Sequence, residues 1–306
     1  MVGPSAGPSG AFPVVRLEGG VTVVRMGPVE AALPGTLAVF STRRGGVSRP
    51  PWDEMNVGQS VGDDPEAVAE NRRRLFGCLG VDPDGVASCG QVHGRGIALV
   101  AGPGRVEATD ALVTVTPGLT LAVSCADCVP VFLLDPVTPA AGIVHAGWKG
   151  TLAGLAALTV RFMARRLGSR PADMVAAVGP SIGPCCYEVG PDVAAEAEDR
   201  LGPEVLRPAG AGRLHLDLWE ANRLALISAG LKASRVHLAR LCTCCREDLF
   251  HSHRRATRAG QEGRAGRAGR MLGLLRLPGE RRAGGADRGR PLREGNPFGG
   301  KEVRQT

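Results

Sequence analysis

The chain has 306 residues, 43% of them hydrophobic, with 44 glycines, 23 prolines and a net charge of +7. That composition supports a substantial core of short elements and tight turns, and no run approaches the ~18 apolar residues of a membrane span. The basicity is local: residues 254–306 carry 14 Lys and Arg against 5 Asp and Glu, leaving 23 against 25 before them, which argues against a nucleic-acid-binding body.

Residues 1–19 read as a loose leader. They lack the basic-then-apolar pattern of a secretory signal, so a cytoplasmic location is expected. Strand-like runs follow at VTVVRM (21–26), TLAVFST (36–42), GIALVA (96–101), DALVTV (110–115), LTLAVSC (119–125), VPVFLLD (129–135), AAGIVHA (140–146), MVAAVG (174–179), RVHLARL (235–241) and MLGLLRL (271–277). Most are continuously apolar, as strands covered on both faces are. Asp63-Asp64-Pro65 opens a helix with a capping carboxylate and a proline at the first helical position, Arg72 to Arg74 lying on its solvated side. A second helix is expected over 151–168, a third from Gly190-Pro191-Asp192, and a fourth from Asp217 through Gly230. Strands and helices interleave without a regular βαβ period. The expectation is an α/β (α+β) fold: one catalytic domain over 20–277, with mixed sheets flanked by helices. Residues 278–306 are too polar and glycine-rich to fold alone and read as a disordered basic tail.

The nine cysteines, in a chain without an export signal, read as small buried hydrophobes, metal ligands or nucleophiles rather than a disulfide framework. Three places join an imidazole or thiol to small neighbours at a strand edge: Gly90-Gln91-Val92-His93-Gly94, Ala126-Asp127-Cys128-Val129-Pro130 and Val144-His145-Ala146-Gly147-Trp148. Small neighbours let the backbone approach a ligand and leave the polar group facing a cavity. Two histidines and a thiolate make a zinc triad with the fourth tetrahedral position open, as catalytic zinc requires. Copper is an alternative occupant of the same nitrogen and sulfur donors. Asp127 is the carboxylate nearest in sequence for acid or base work. Arg43, at a strand end before two glycines, is the candidate phosphate ligand, and the Asn56 amide a candidate substrate contact. Cys185-Cys186 and the CTCC of 242–245 read as packing residues, because adjacent cysteines point in different directions.

Several long motifs stand in one order along residues 35–277: STRRGGVS (41–48), WDEMNVG (52–58), VGDDPEAVAENRRRL (61–75), QVHG (91–94), ADCVP (126–130), VHAGWKG (144–150), GPSIGPCCYEVG (179–190) and CTCCREDLFHSHRR (242–255). In these the chain resembles the YfiH-like family of bacterial proteins, long labelled multicopper polyphenol oxidases or laccase-domain proteins. The resemblance implies a layered fold similar to that of toxin deamidases, and zinc held by His93, Cys128 and His145. It also implies phosphorolysis of adenosine, inosine and methylthioadenosine, with adenosine deamination as a second activity. Purine nucleosides and phosphate are then the expected partners, with neither nucleic acid nor membrane, the chain acting as a monomer or weak homo-oligomer. The alternatives are a copper-dependent phenol oxidase and a Cys128–His145 thiol hydrolase editing peptidoglycan precursors. The oxidase reading is weak in residues, since a multicopper oxidase needs many more histidines than the six present.

Overall fold

The computed structural model describes residues 10–260 and 267–279. Its first strands are β1 (Val14–Arg16), β2 (Thr22–Arg25), β3 (Leu37–Ser41), β4 (Val86–Gly90), β5 (Ile97–Leu99) and β6 (Gly104–Glu107). The central group is β7 (Ala111–Thr114), β8 (Thr120–Cys125), β9 (Val129–Asp135), β10 (Ala140–Ala146) and β11 (Val175–Val178). The last are β12 (Glu188–Val189), β13 (Leu206–Pro208), β14 (Leu214–Leu216), β15 (Val236–Leu238) and β16 (Met271–Arg276). Among the helices are α1 (Gly27–Ala32), α2 (Pro65–Leu79), α3 (Trp148–Leu152) and α4 (Leu155–Leu167). They are followed by α5 (Pro191–Leu201), α6 (Leu218–Ser228) and α7 (His253–Gly260).

Two mixed sheets dominate: a seven-stranded one in the order β1-β2-β3-β16-β8-β4-β6 and a six-stranded one in the order β15-β11-β9-β10-β7-β5. A small third sheet runs β12-β14-β13. Alternation along the strands shows how the large sheets stack. In β9, Phe132 and Leu134 join a core shared with Leu121 and Val123 of β8 and Met271 and Leu275 of β16. Val129, Val131 and Leu133 turn the other way, into a core with Leu155, Val160 and Met163 of α4 and Leu226 of α6. On the far side of the seven-stranded sheet, Leu272 and Leu274 pack with Leu75 and Phe76 of α2. The order is therefore helix, sheet, sheet, helix. It explains why β9 and β10 are buried at every position and read as unbroken apolar runs. Each large side chain between the sheets, such as Phe132 or Ile143, contributes about 1.5–3 kcal/mol on burial.

The α/β expectation holds, with differences of detail. Residues 14–16, placed by the sequence in a loose leader, pair antiparallel with β2. The helix expected over 151–168 is two, because Gly154 has φ +69°, a left-handed conformation that ends α3 and starts α4. Asp64 and Asp217 do cap α2 and α6, accepting from the N–H of Glu66 and of Glu220. Residues 1–9 and 280–306, including nearly all of the expected basic tail, lie outside the described residues. Among the described residues no helix is long and apolar enough to cross a membrane.

Candidate active site

The site forms where the two large sheets hand the chain to one another. β8 ends at Cys125 in the seven-stranded sheet, and the short turn 126–128 delivers the chain to β9 in the other. The β9–β10 hairpin is set by Asp135, whose Oδ1 accepts from the N–H of Val137 and Thr138. Its register pairs His145 with Pro130 and Ala146 with Val129, so Cys128 and His145 lie side by side although they are 17 positions apart in sequence. The β10–β7 register pairs Val144 with Ala111, which brings Asp110 next to His145. The loop after β4 carries His93. That loop is docked by Gln91, whose side chain donates to the Ser124 carbonyl (2.8 Å) and accepts from the Ser124 N–H (2.7 Å), extending the β4–β8 ladder by side chain.

One ligating atom each from His93, Cys128 and His145 lies within 4.8 Å of the others. The Cys128 sulfur is 3.8 Å from His93 Nε2, and the two imidazoles meet edge to face with centroids 4.9 Å apart. His93 is exposed, Cys128 half-buried and His145 buried. Backbone strain sits at one of these positions and just before another: His93 has φ +57° and Asp127 φ +89°, conformations that cost a non-glycine residue of order 1–3 kcal/mol and cluster at functional sites. Gly147 supplies the room. A Cβ there would stand 3.0 Å from His93 Cδ2 and 3.1 Å from the Cys128 sulfur.

The sequence reading missed the residue that organises the group. Asp110, fully buried, pairs with His145 Nδ1 at 2.8 Å. It also accepts from the N–H of Val92, His93 and Gly94. One carboxylate thus fixes the His145 ring with Nε2 directed away from it, and shapes the turn that presents His93. Burial alone would push the Cys128 thiol up and the His145 imidazole down. Their mutual attraction reverses both, with His93 and Asp110 helping: the thiol is held down at about 6 and the imidazole raised to about 9. Without metal the pair is a thiolate beside an imidazolium at neutral pH.

The other expected site residues stand elsewhere. The Asp127 carboxylate accepts from Thr243 Oγ1 (2.6 Å), Ser252 Oγ (3.0 Å) and the Arg254 N–H (2.6 Å). It anchors the 243–254 segment, and its oxygens are spent there rather than on acid or base work. Arg43 is likewise consumed: its guanidinium donates to the Asp53 carbonyl and carboxylate and to the Glu247 carbonyl. Asn56 is buried. Its amide donates to Asp63 (2.8 Å) and its oxygen accepts from the N–H of Gly58 and Arg270, so it positions a loop and an arginine rather than touching a ligand.

His93, Cys128 and His145 open into a cleft of about 510 Å³, within the ~300–1,000 Å³ usual for small-molecule sites. Arg72, Arg105 and Arg270 line it, with Gln91, Ser124 and His253. Among the described residues its wall holds no carboxylate. Arg72, expected on the solvated face of α2, instead lies over Phe76 and donates to the Val57 carbonyl at the cleft edge. Burial pulls the Arg72 and Arg270 guanidinium groups down from their usual range, yet guanidinium remains charged. Two cations partly stripped of water, with no carboxylate on the same wall, make a site for an anion.

A model of the family described as multi-copper polyphenol oxidoreductase laccase matches residues 37–277. The chain is 46% identical over 217 residues to the purine nucleoside phosphorylase of Deinococcus radiodurans, an overlap of 71% of this chain and 82% of that protein. It is 39% identical over 234 residues to the purine nucleoside phosphorylase YlmD of Geobacillus stearothermophilus, an overlap of 72% and 85%. The crystal structure of YlmD from Geobacillus stearothermophilus superposes with a TM-score of 0.78 at 36% identity, covering 88% of this chain and 99% of that one. The structure of YfiH from Bacillus licheniformis gives a TM-score of 0.75 at 35% identity, covering 83% and 96%.

Proposed function

We propose that this chain, which belongs to the YfiH-like family, is a metal-dependent purine nucleoside phosphorylase acting on adenosine, inosine and methylthioadenosine, with a single catalytic domain that begins at β1 and ends at residue 277. The observation that carries the reading is the cleft: a His-Cys-His group and arginines line it together, with no carboxylate among the described residues of its wall. Relatives sharing 46% and 39% of aligned residues are named purine nucleoside phosphorylases.

The donor set fits zinc. Two imidazoles and one thiolate, with Asp110 behind His145, are the ligands and outer partner of an open catalytic site. His93, Cys128 and His145 would hold the ion, which when bound supplies Lewis-acid polarisation at its open position. The remaining work belongs to the chain. Arg72 and Arg270 offer guanidinium N–H groups to the phosphate, whereas Arg105 is paired with Glu107 at 2.7 Å. Phosphorolysis then joins a phosphate oxygen to ribose C1′ as the bond from C1′ to the purine nitrogen breaks. The walls of Gln91 and Ser124 confine the nucleoside between cations and triad.

Deamination as a second activity requires a proton carrier beside the reacting carbon; among the described cleft residues the imidazoles of His93, His145 and His253 are the groups able to serve. Copper at the same three donors would give one ion site, whereas an oxidase of the multicopper type needs several; among the described residues no other histidine joins a group of metal-ligating side chains. One observation favours a second reading. The Cys128 thiolate, the His145 imidazolium and Asp110 would serve as the nucleophile, general acid and orienting group of a thiol hydrolase.

Incubating the purified chain with each nucleoside, with and without phosphate, and identifying products by chromatography tests the proposal. Free base and ribose 1-phosphate should form only with phosphate, and a strong chelator should abolish turnover. Undiminished phosphorolysis by metal-free protein discards the metal requirement. Amide hydrolysis by metal-free protein, blocked by alkylating Cys128, favours the thiol hydrolase.

A further inference from the structure

Four thiols gather at a second place, in segments the sequence alone reads as packing. Cys185, Cys186, Cys242 and Cys245 each bring a sulfur within 4.8 Å of the other three. The sulfurs of Cys185 and Cys186 stand 3.4 and 3.3 Å from that of Cys245. Two turns make this possible. The 183–187 turn closes with the N–H groups of Cys186 and Tyr187 on the Gly183 carbonyl, so adjacent cysteines a fraction of a helical turn apart lean to one point. In the second turn the Arg246 N–H bonds the Cys242 carbonyl, and Cys242 and Cys245, three apart, share one face. The two turns are stitched together by an isolated bridge between Ser181 and Cys242.

We propose that these four cysteines form a structural metal site of the zinc tetrathiolate class, separate from the catalytic cleft. A regular tetrahedron of sulfurs about zinc has edges of about 3.8 Å; two of the sulfur pairs stand at 3.3 and 3.4 Å, and all four sulfurs lie within 4.8 Å of one another. Two residues between Cys242 and Cys245 is the spacing of structural zinc turns, and four protein ligands close the coordination sphere. The surroundings suit an anionic cluster. The Gly183 N–H points at the Cys242 sulfur at 3.3 Å, and Arg255 and Arg258 bond the carbonyls of Cys244 and Cys186. On binding, each S–H gives up its proton to solvent as a metal–sulfur bond forms, with no change of oxidation state. The site would tie the turn after β11 to the 242–252 segment, whose Thr243 and Ser252 hold Asp127 immediately before Cys128.

The full-length chain, purified with zinc, should hold two metal equivalents by elemental analysis. C128A should keep one, and its cobalt(II)-loaded form should show the sulfur-to-cobalt charge-transfer bands of a tetrathiolate. C245S should lose those bands. Should C245S fail to fold, thiol mapping of the native chain replaces it: all four cysteines should resist alkylation until a chelator is added, and then react together. A single equivalent abolished by C128A overturns the proposal, as does a Cys185–Cys245 or Cys186–Cys245 disulfide in place of bound metal.

Discussion

Asp110 and His145 are paired at 2.8 Å, carboxylate oxygen to Nδ1, in a place where neither meets solvent. The same carboxylate takes three backbone N–H groups of the His93 turn. Replacing it by Asn leaves the shape but removes the charge and turns one acceptor into a donor. D110N should therefore weaken zinc binding by about 10- to 100-fold. It should also cost about 1–3 kcal/mol of stability through unsatisfied buried groups. Competition against a chromophoric chelator measures the first and denaturant unfolding the second. Wild-type metal affinity in D110N would remove Asp110 from its organising place.

The thiolate–imidazolium pair sets the pH behaviour of the metal-free chain. Cys128 is depressed from an ordinary 9.0 to about 6, so its contribution is present above the unfolded value and fades as pH falls through about 6. His145 is raised from 6.5 to about 9, so its contribution is complete below 6.5 and is lost as pH climbs through about 9. The pair therefore supports the fold best between about pH 6 and 9. Iodoacetamide should label Cys128 in metal-free protein with a midpoint near pH 6, and H145A should move that midpoint up. A midpoint near an ordinary thiol value in the wild type would show that the pair does not form.

Arg72 and Arg43 separate binding from scaffolding. Arg72 lines the cleft and Arg43 does not; Arg43 is spent on Asp53 and Glu247. R72A should raise KM for phosphate by about 10- to 100-fold, the worth of one charge-assisted contact, with nucleoside KM little changed. R43A should instead lower Tm and leave phosphate KM near wild type. Steady-state kinetics beside thermal unfolding distinguishes the two, and an elevated phosphate KM in R43A alone would return Arg43 to the site.

The triad was legible because each of its members stands beside small residues at the edge of an apolar run, and the unbroken runs of β9 and β10 reveal two-sided burial. What failed did so for identifiable reasons. Val86–Gly90 is a strand of mostly small residues with no period to read. Asp110 reads only as the first residue of the strand-like run 110–115, since its partners lie 16 to 35 positions away. Arg72 sits in a run of three arginines, and only tertiary packing shows which one turns inward. Arg43 precedes two glycines like an anion loop, but one of its acceptors is 204 residues distant. The four clustered thiols escaped because side-chain direction in a turn cannot be inferred from adjacency.

Gly147 tests how tightly the triad is built. Its neighbours His93 and Cys128 approach where a side chain would begin, and an added Cβ would meet His93 Cδ2 at 3.0 Å and the Cys128 sulfur at 3.1 Å. With φ of −66° the backbone itself accepts alanine, so G147A carries no conformational penalty and the cost falls on the site. Either His93, on its exposed and strained turn, or the half-buried thiol must yield by a few tenths of an ångström. His93 is the softer of the two, because Cys128 enters a fully buried strand at the next residue. G147A should therefore keep Tm close to wild type while zinc affinity falls and kcat falls with it, since a shift of that size misplaces a ligand. Equal metal affinity in G147A and wild type, by the same chelator competition, would mean that His93 is not held against Cys128 as the structure has it.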